Sequence, residues 1–155
     1  MNVITLVTAT NVRLMGDVTK YLEIYIDGVP LQQMFAEPSG VLPDEISPLG
    51  WAVPGAEEFA NEQFRRFLLM SPSDLPENRN SILVCPLDAD LGCGAFSARF
   101  YRTDLFICWS DFGFEYSWVN DSIDLETYKH IAPFIFDWSQ YEEELLSHSG
   151  FHIIE

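Results

Sequence analysis

Apolar and polar residues alternate in short runs along much of the chain, and that two-residue period predicts strands. Val3 to Asn11 is rich in β-branched residues, and Tyr21 to Ile26 sets Glu23 among apolar neighbours, so both segments are expected to be strands. Asp27-Gly28 is a tight-turn pair, and Pro30 stops the strand at once. Leu31 to Glu37 suits a short helix. Residues 38–55 then carry four prolines and three glycines, which is loop composition.

The pattern next changes period. Glu57 to Met70 spaces Phe59, Phe64, Phe67 and Leu68 along one stripe, with acids at its start and Arg65 and Arg66 near its end, so a helix is expected. A second proline-containing loop separates it from Ile82 to Cys85, a short buried strand. Ala95 to Tyr101 and Leu105 to Trp109 alternate around Thr103-Asp104, the pattern of a β-hairpin. Phe112 to Trp118 is expected to be a second aromatic strand or turn, Asn120 to Asp124 an acidic loop, and Phe134 to Phe136 a short strand. Asp137 is placed as the N-cap of a last helix, with Gln140 three residues on, the spacing of a capping box. The expected fold is α+β, an antiparallel β-sheet with about two packing helices in a single domain over residues 1–155.

Composition narrows the function. The 155 residues are 48% hydrophobic and only 21% charged, which argues against intrinsic disorder. The charges are lopsided: 24 Asp+Glu oppose 8 Lys+Arg, a formal net charge of −16. Residues 103–155 hold 11 of the acids against one base, Lys129. Direct binding to nucleic acid or to an anionic membrane surface is disfavoured, and a basic protein partner is favoured. No run approaches the roughly 20 apolar residues of a membrane helix. The first ten residues lack a basic n-region and read as a strand instead of a signal peptide. Cys85, Cys93 and Cys108 lie in apolar, strand-like sequence, and buried free thiols in a reducing cytoplasm are the expectation; a disulfide with a spare thiol is the alternative.

Motifs for catalysis are missing. The chain has no nucleophile elbow, no phosphate-binding glycine loop and no HExxH. Asp88-Ala-Asp90-Leu-Gly92 lacks the later ligands of a calcium loop and is expected to be a solvated turn. Cys85 and Cys93 are too widely spaced for a CxxC knuckle, so zinc requires Cys108 or a distant His to join them. Asp111 with Glu115 is a carboxylate pair of the kind that arises by chance in so acidic a chain. No catalytic residue, metal or cofactor is expected.

The residues that carry a binding signal are Trp109, Phe112, Phe114, Tyr116 and Trp118, which are interleaved with Asp111 and Glu115. Aromatic anchors framed by carboxylates suit a cationic cleft: the rings supply buried contact and the acids steer the encounter. Simple alternation would instead place the rings in the core and the acids in water. Asp111, Glu115, Trp118, Asp121 and Asp124 are the expected partner-binding residues.

Cys93-Gly-Ala-Phe-Ser-Ala-Arg99, Trp109-Ser-Asp-Phe-Gly-Phe-Glu115 and the terminal run from Phe134 to Glu142 carry a resemblance. Over roughly residues 82–146 the chain resembles a group of small, acidic, mostly uncharacterised bacterial proteins with such a strand, turn and terminal helix. Proteins of this size and charge are often immunity partners of polymorphic toxins, including contact-dependent growth-inhibition systems. The resemblance implies a cytoplasmic immunity protein that neutralises a cognate basic toxin domain, most simply a nuclease. The alternatives are a small Cys/His metal-binding protein or enzyme, and an acidic adaptor module.

Overall fold

A computed structural model describes residues 1–12, 16, 18–116 and 122–150. Its strands form two antiparallel sheets, of three and five strands, with three α-helices, so the expected α+β class holds. β1 (Ile4–Val12) pairs along its whole length with β2 (Val18–Ile26). Asp27 and Gly28 then turn the chain into the two-residue β3 (Val29–Pro30), both at positive φ as a tight hairpin turn of this type requires. Ile4, Leu6, Leu22, Ile24 and Ile26 point from this sheet into the core.

The short α1 (Leu31–Met34) follows, and then the proline- and glycine-rich loop. Much of that loop is a packed strap. Leu49 carbonyl accepts from Leu22 N–H at 2.9 Å, and Ala52 N–H donates to Lys20 carbonyl at 2.9 Å, so the strap covers the open edge of β2. Ile46 and Val84 exchange backbone hydrogen bonds at 2.9 and 2.7 Å and so tie the two sheets together. Gly50 sits where φ is +69°, and a Cβ there would meet Leu22 Cγ at 2.5 Å. Gly50→Ala should therefore lose about 2–4 kcal/mol, combining left-handed strain with overpacking. Gly55→Ala is the control, because Gly55 also has positive φ but open space around it. Urea denaturation of the two variants separates the clash from the strain.

α2 (Glu57–Phe67) starts with Glu57 and Glu58 and ends with Arg65 and Arg66, as the charge pattern predicts. Phe64 and Phe67 enter the core, but Arg66 is also fully buried. Its guanidinium donates to Gln63 Oε1, Asn80 Oδ1, Ser81 Oγ and the Ser81 carbonyl, and it lies 3.4 Å from Asp74 Oδ1. This network explains why β4 (Arg79–Leu83) begins three residues before the apolar run that marks it in sequence. Arg79, Asn80 and Ser81 are buried polar residues whose partners come from distant segments.

β5 (Ala95–Arg102) and β6 (Phe106–Tyr116) form the expected hairpin, but β6 does not stop at Trp109. Ser97 faces Gly113 while Arg99 faces Ser110, so β6 carries one extra residue, and Asp111 takes a φ of 54° within that bulge. The bulge keeps Trp109 and Phe112 buried on either side of it. β7 (Ser122–Asp124) pairs with the far end of β6, so part of the expected acidic loop is a strand. β8 (Phe134–Asp137) pairs with its near end.

In α3 (Trp138–Ser149) the Asp137 side chain caps the helix by accepting from Gln140 N–H at 3.0 Å. The reciprocal half of a capping box does not form. Gln140 instead donates through Nε2 to Ile4 carbonyl at 2.7 Å, and Glu144 Oε2 accepts from Leu6 N–H at 2.8 Å. Two side chains of α3 thus satisfy the open edge of β1. Both sheets share one core with α2 and α3, centred on Trp109, Phe136 and Tyr141. Among the described residues, no helix is long and apolar enough to cross a membrane.

Candidate functional site

The structure disperses the residues that the sequence marks for binding. Asp111 is exposed beside a depression lined by Glu77, Asn78, Arg99, Phe100, Tyr101 and Ser110. Glu115 is buried, at 7% exposure, because the bulge at Asp111 brings it beneath Arg79. Glu115 Oε1 lies 3.3 Å from Arg79 Nε and accepts from Ser97 Oγ at 3.3 Å. Arg79 also donates to Ser97 Oγ and to the Asp111 carbonyl. Burial pushes the Glu115 carboxyl above its ordinary range, and Arg79 opposes that shift. Glu115 is therefore a member of an internal ion pair, not a carboxylate facing solvent. Trp118 and Asp121 lie outside the described residues.

Asp124 is half-buried on β7. The Thr127 hydroxyl and backbone N–H both bond its carboxylate, which holds it below the usual carboxylate range. Close packing fixes this segment against β6: a Cβ at Gly113 would meet Asp124 carbonyl oxygen at 2.9 Å.

Asp124, paired with Phe114, lies beside a cleft whose residues are scattered along the sequence. Phe35, Phe96, Phe114, Tyr116 and Tyr128 line it with Glu37, Asp44 and Glu45, around about 350 Å³. Its rings contact one another: Phe35–Phe96 centroids are 4.6 Å apart, Phe96–Phe114 4.9 Å and Phe114–Tyr116 4.8 Å. Tyr128 reaches both Phe35 and Phe96 at 5.5 Å. Burial raises the Tyr128 phenol, and the negative charges of Asp124, Glu45 and Glu37 add to the shift, which places those acids around one ring. Glu45 is itself raised by burial and by Asp44. Aromatic faces ringed by carboxylates attract a cation through both the ring quadrupole and charge. The sequence signal for this cleft was the pair of acids at Asp44 and Glu45 inside the proline-rich loop. What was illegible is that Phe35 and Tyr128 converge on that loop from opposite ends of the chain.

Asp44 and Glu45 also line a neighbouring cleft of about 510 Å³, together with Asn11, Val12, Cys85, Pro86, Leu87 and Cys93. Here the structure corrects two expectations. Cys93 is exposed, and Cys85 and Cys108 are only half-buried, so none of the three is a core thiol. The wide sequence spacing of Cys85 and Cys93 does not keep them apart. Ala89 N–H donates to Cys85 carbonyl at 2.9 Å, Asp88 and Asp90 each accept a backbone N–H two residues on, and Cys93 N–H donates to Asp90 carbonyl at 3.0 Å. These turns wind residues 85–93 back on themselves. The sulfurs of Cys85 and Cys93 and a carboxylate oxygen of Asp88 then lie within 4.8 Å of one another. Hydrogen bonding to Cys85 raises the Cys93 thiol, with further contributions from nearby Asp88 and Asp90.

Compared with known proteins, the chain matches no family model, no curated protein and no solved structure.

Proposed function

We propose that this protein is a cytoplasmic immunity protein that binds and neutralises a basic toxin domain, most simply a nuclease. The observation that carries this reading is the aromatic cleft of Phe35, Phe96, Phe114, Tyr116 and Tyr128 rimmed by Glu37, Asp44 and Glu45. A lysine or arginine of the partner would seat over the rings, where a cation–π contact contributes about 0.5–2 kcal/mol depending on desolvation. The formal charge of −16 extends the attraction beyond contact range and raises the encounter rate. A nuclease cleft holds phosphates and is cationic, so it has the complementary charge.

The test begins with capture. Tagged protein is incubated with lysate of source cells and washed at low and then high salt, and any retained basic domain is assayed for nuclease activity. The reading expects one basic domain whose activity is silenced by a stoichiometric amount of this chain. Glu37→Lys with Asp44→Lys should then slow association about tenfold or more at low salt, with the difference shrinking as salt screens it. Both positions are exposed, so the fold should tolerate the change. Retention of no basic domain at low salt, or equal association rates at every salt concentration, would remove the proposal.

The cleft also has a pH signature. The raised Glu45 carboxyl takes up its proton at higher pH than an ordinary carboxylate, so acidification removes one negative charge from the cleft early. Partner affinity should fall on mild acidification, and Glu45→Gln should flatten that fall. An unchanged slope in Glu45→Gln would exclude Glu45 as its source.

A further inference from the structure

We infer that Cys85, Cys93 and Asp88 form a binding site for a thiophilic divalent ion, zinc in the first instance. The three donor atoms come from one wound loop and lie within 4.8 Å of one another at the rim of a cleft. A tetrahedral zinc with Zn–S bonds of ~2.3 Å would bring its two sulfurs to about 3.8 Å apart, so the loop needs to close by about 1 Å or less. Such a movement is modest for a surface turn whose Asp88 and Cys93 are exposed.

The donor set selects the ion. Two thiolates favour zinc over calcium or magnesium, which prefer all-oxygen shells. The charge around the site points the same way, since Asp44 and Glu45 line the same cleft and Asp90 lies within the same turn. Two thiolates and several carboxylates in one corner repel one another, and a dication relieves that repulsion. Binding converts two S–H groups into two Zn–S bonds and releases two protons to solvent, so zinc affinity should climb as pH rises. Three protein donors leave a coordination position for water or for a carboxylate of the cleft wall. The site stands apart from the aromatic cleft in its ligands and its test, and it can hold whether or not a basic partner is found.

The experiment uses the full chain, stripped of metal and kept reduced with a phosphine. Cobalt(II) is titrated in and the near-ultraviolet region is followed for sulfur-to-cobalt charge transfer; zinc is then added as competitor. The expected result is a charge-transfer band that saturates at one cobalt per chain and is abolished by equimolar zinc. Cys85→Ser and Cys93→Ser should each lose the band while keeping the far-ultraviolet circular dichroism of the parent. Cys108→Ser should keep it, because Cys108 lies on β6 away from the loop. Asp88→Asn should weaken zinc by more than the ~10–100-fold that loss of an outer-shell partner costs. No charge-transfer band in the reduced, folded parent would overturn the inference. So would a band that survives Cys93→Ser or disappears with Cys108→Ser.

Discussion

Arg79→Met should lower the unfolding free energy by about 3–5 kcal/mol at neutral pH, the cost of removing one partner from a buried ion pair. Methionine fills much of the volume, so the loss comes from stranding Glu115, which among the described residues keeps only the Ser97 hydroxyl of its present partners. It also frees the Asp111 carbonyl that Arg79 now satisfies. The bulge in β6 should loosen in consequence, with raised amide exchange at residues 110–113. Acid should rescue the variant. The Glu115 carboxyl in the folded parent is already raised, so the contribution of this group to stability is fully present below the ordinary carboxylate value and is lost as pH rises through its folded value. Removing Arg79 takes away the charge that opposed the rise, which widens the window upward. The variant's deficit, measured by urea denaturation, should therefore be smaller near pH 5 than near pH 8. A deficit independent of pH would show that packing, and not the stranded carboxylate, is responsible. Arg79→Met combined with Glu115→Leu should recover part of the loss, because a buried pair replaced as a unit is often close to neutral.

Trp109→Ala is expected to cost about 3–5 kcal/mol, as large-to-small changes in an aromatic core do. Trp109 is wholly buried. Its ring stacks on Phe100 at 4.7 Å and meets Phe67, Phe136 and Tyr141 edge-on at 5.6, 5.3 and 6.1 Å. These neighbours come from β5, α2, β8 and α3, so a cavity here has no single element that can collapse into it. Trp109→Phe should fall well short of that loss. Among the described residues, the indole Nε1 meets no partner at hydrogen-bond geometry, although it lies near enough to the Tyr141 phenol to lower its otherwise raised value. Phenylalanine removes that buried donor along with the volume. Denaturant midpoints for the two variants decide the matter: equal losses would mean that the indole N–H is better satisfied than its geometry indicates.

The elements legible in the sequence are those set by local chemistry. Asp27-Gly28 supplies the positive φ of a tight turn, Asp137 supplies a cap, and the alternation around Thr103-Asp104 yields a hairpin. Features decided by distant partners were not legible. Arg79-Asn80-Ser81 resembles a polar loop until Arg66, Asp74 and Ser97 are brought to it. Phe112 to Tyr116 looked separate from Trp109 because one extra residue at Asp111 breaks the two-residue period, although the strand continues. The same extra residue turns Glu115 away from the face of Trp109 and onto that of Ser97 and Arg79, where it is buried. At the aromatic cleft, the residue types were legible in the sequence, but which residues assemble it depends on the path of the strap. Of the expected set, Asp124 is the described residue beside the cleft, paired across the sheet with Phe114.

The helix side chains that close the edge of β1 set an order of events for the newly made chain. Ile4 and Leu6 leave the ribosome well before the groups that satisfy their backbone, Gln140 and Glu144, which lie 136 and 138 residues later. Until those residues emerge, the nascent hairpin offers an unguarded strand edge to any other extended chain nearby. Completion of the fold therefore waits until α3 has been made, and its last step is a long-range closure of the kind that folds slowly. On the proposed reading as a toxin inhibitor, the protein would be effective only after that closure. The interval between synthesis and protection would then be set by the meeting of β1 and α3.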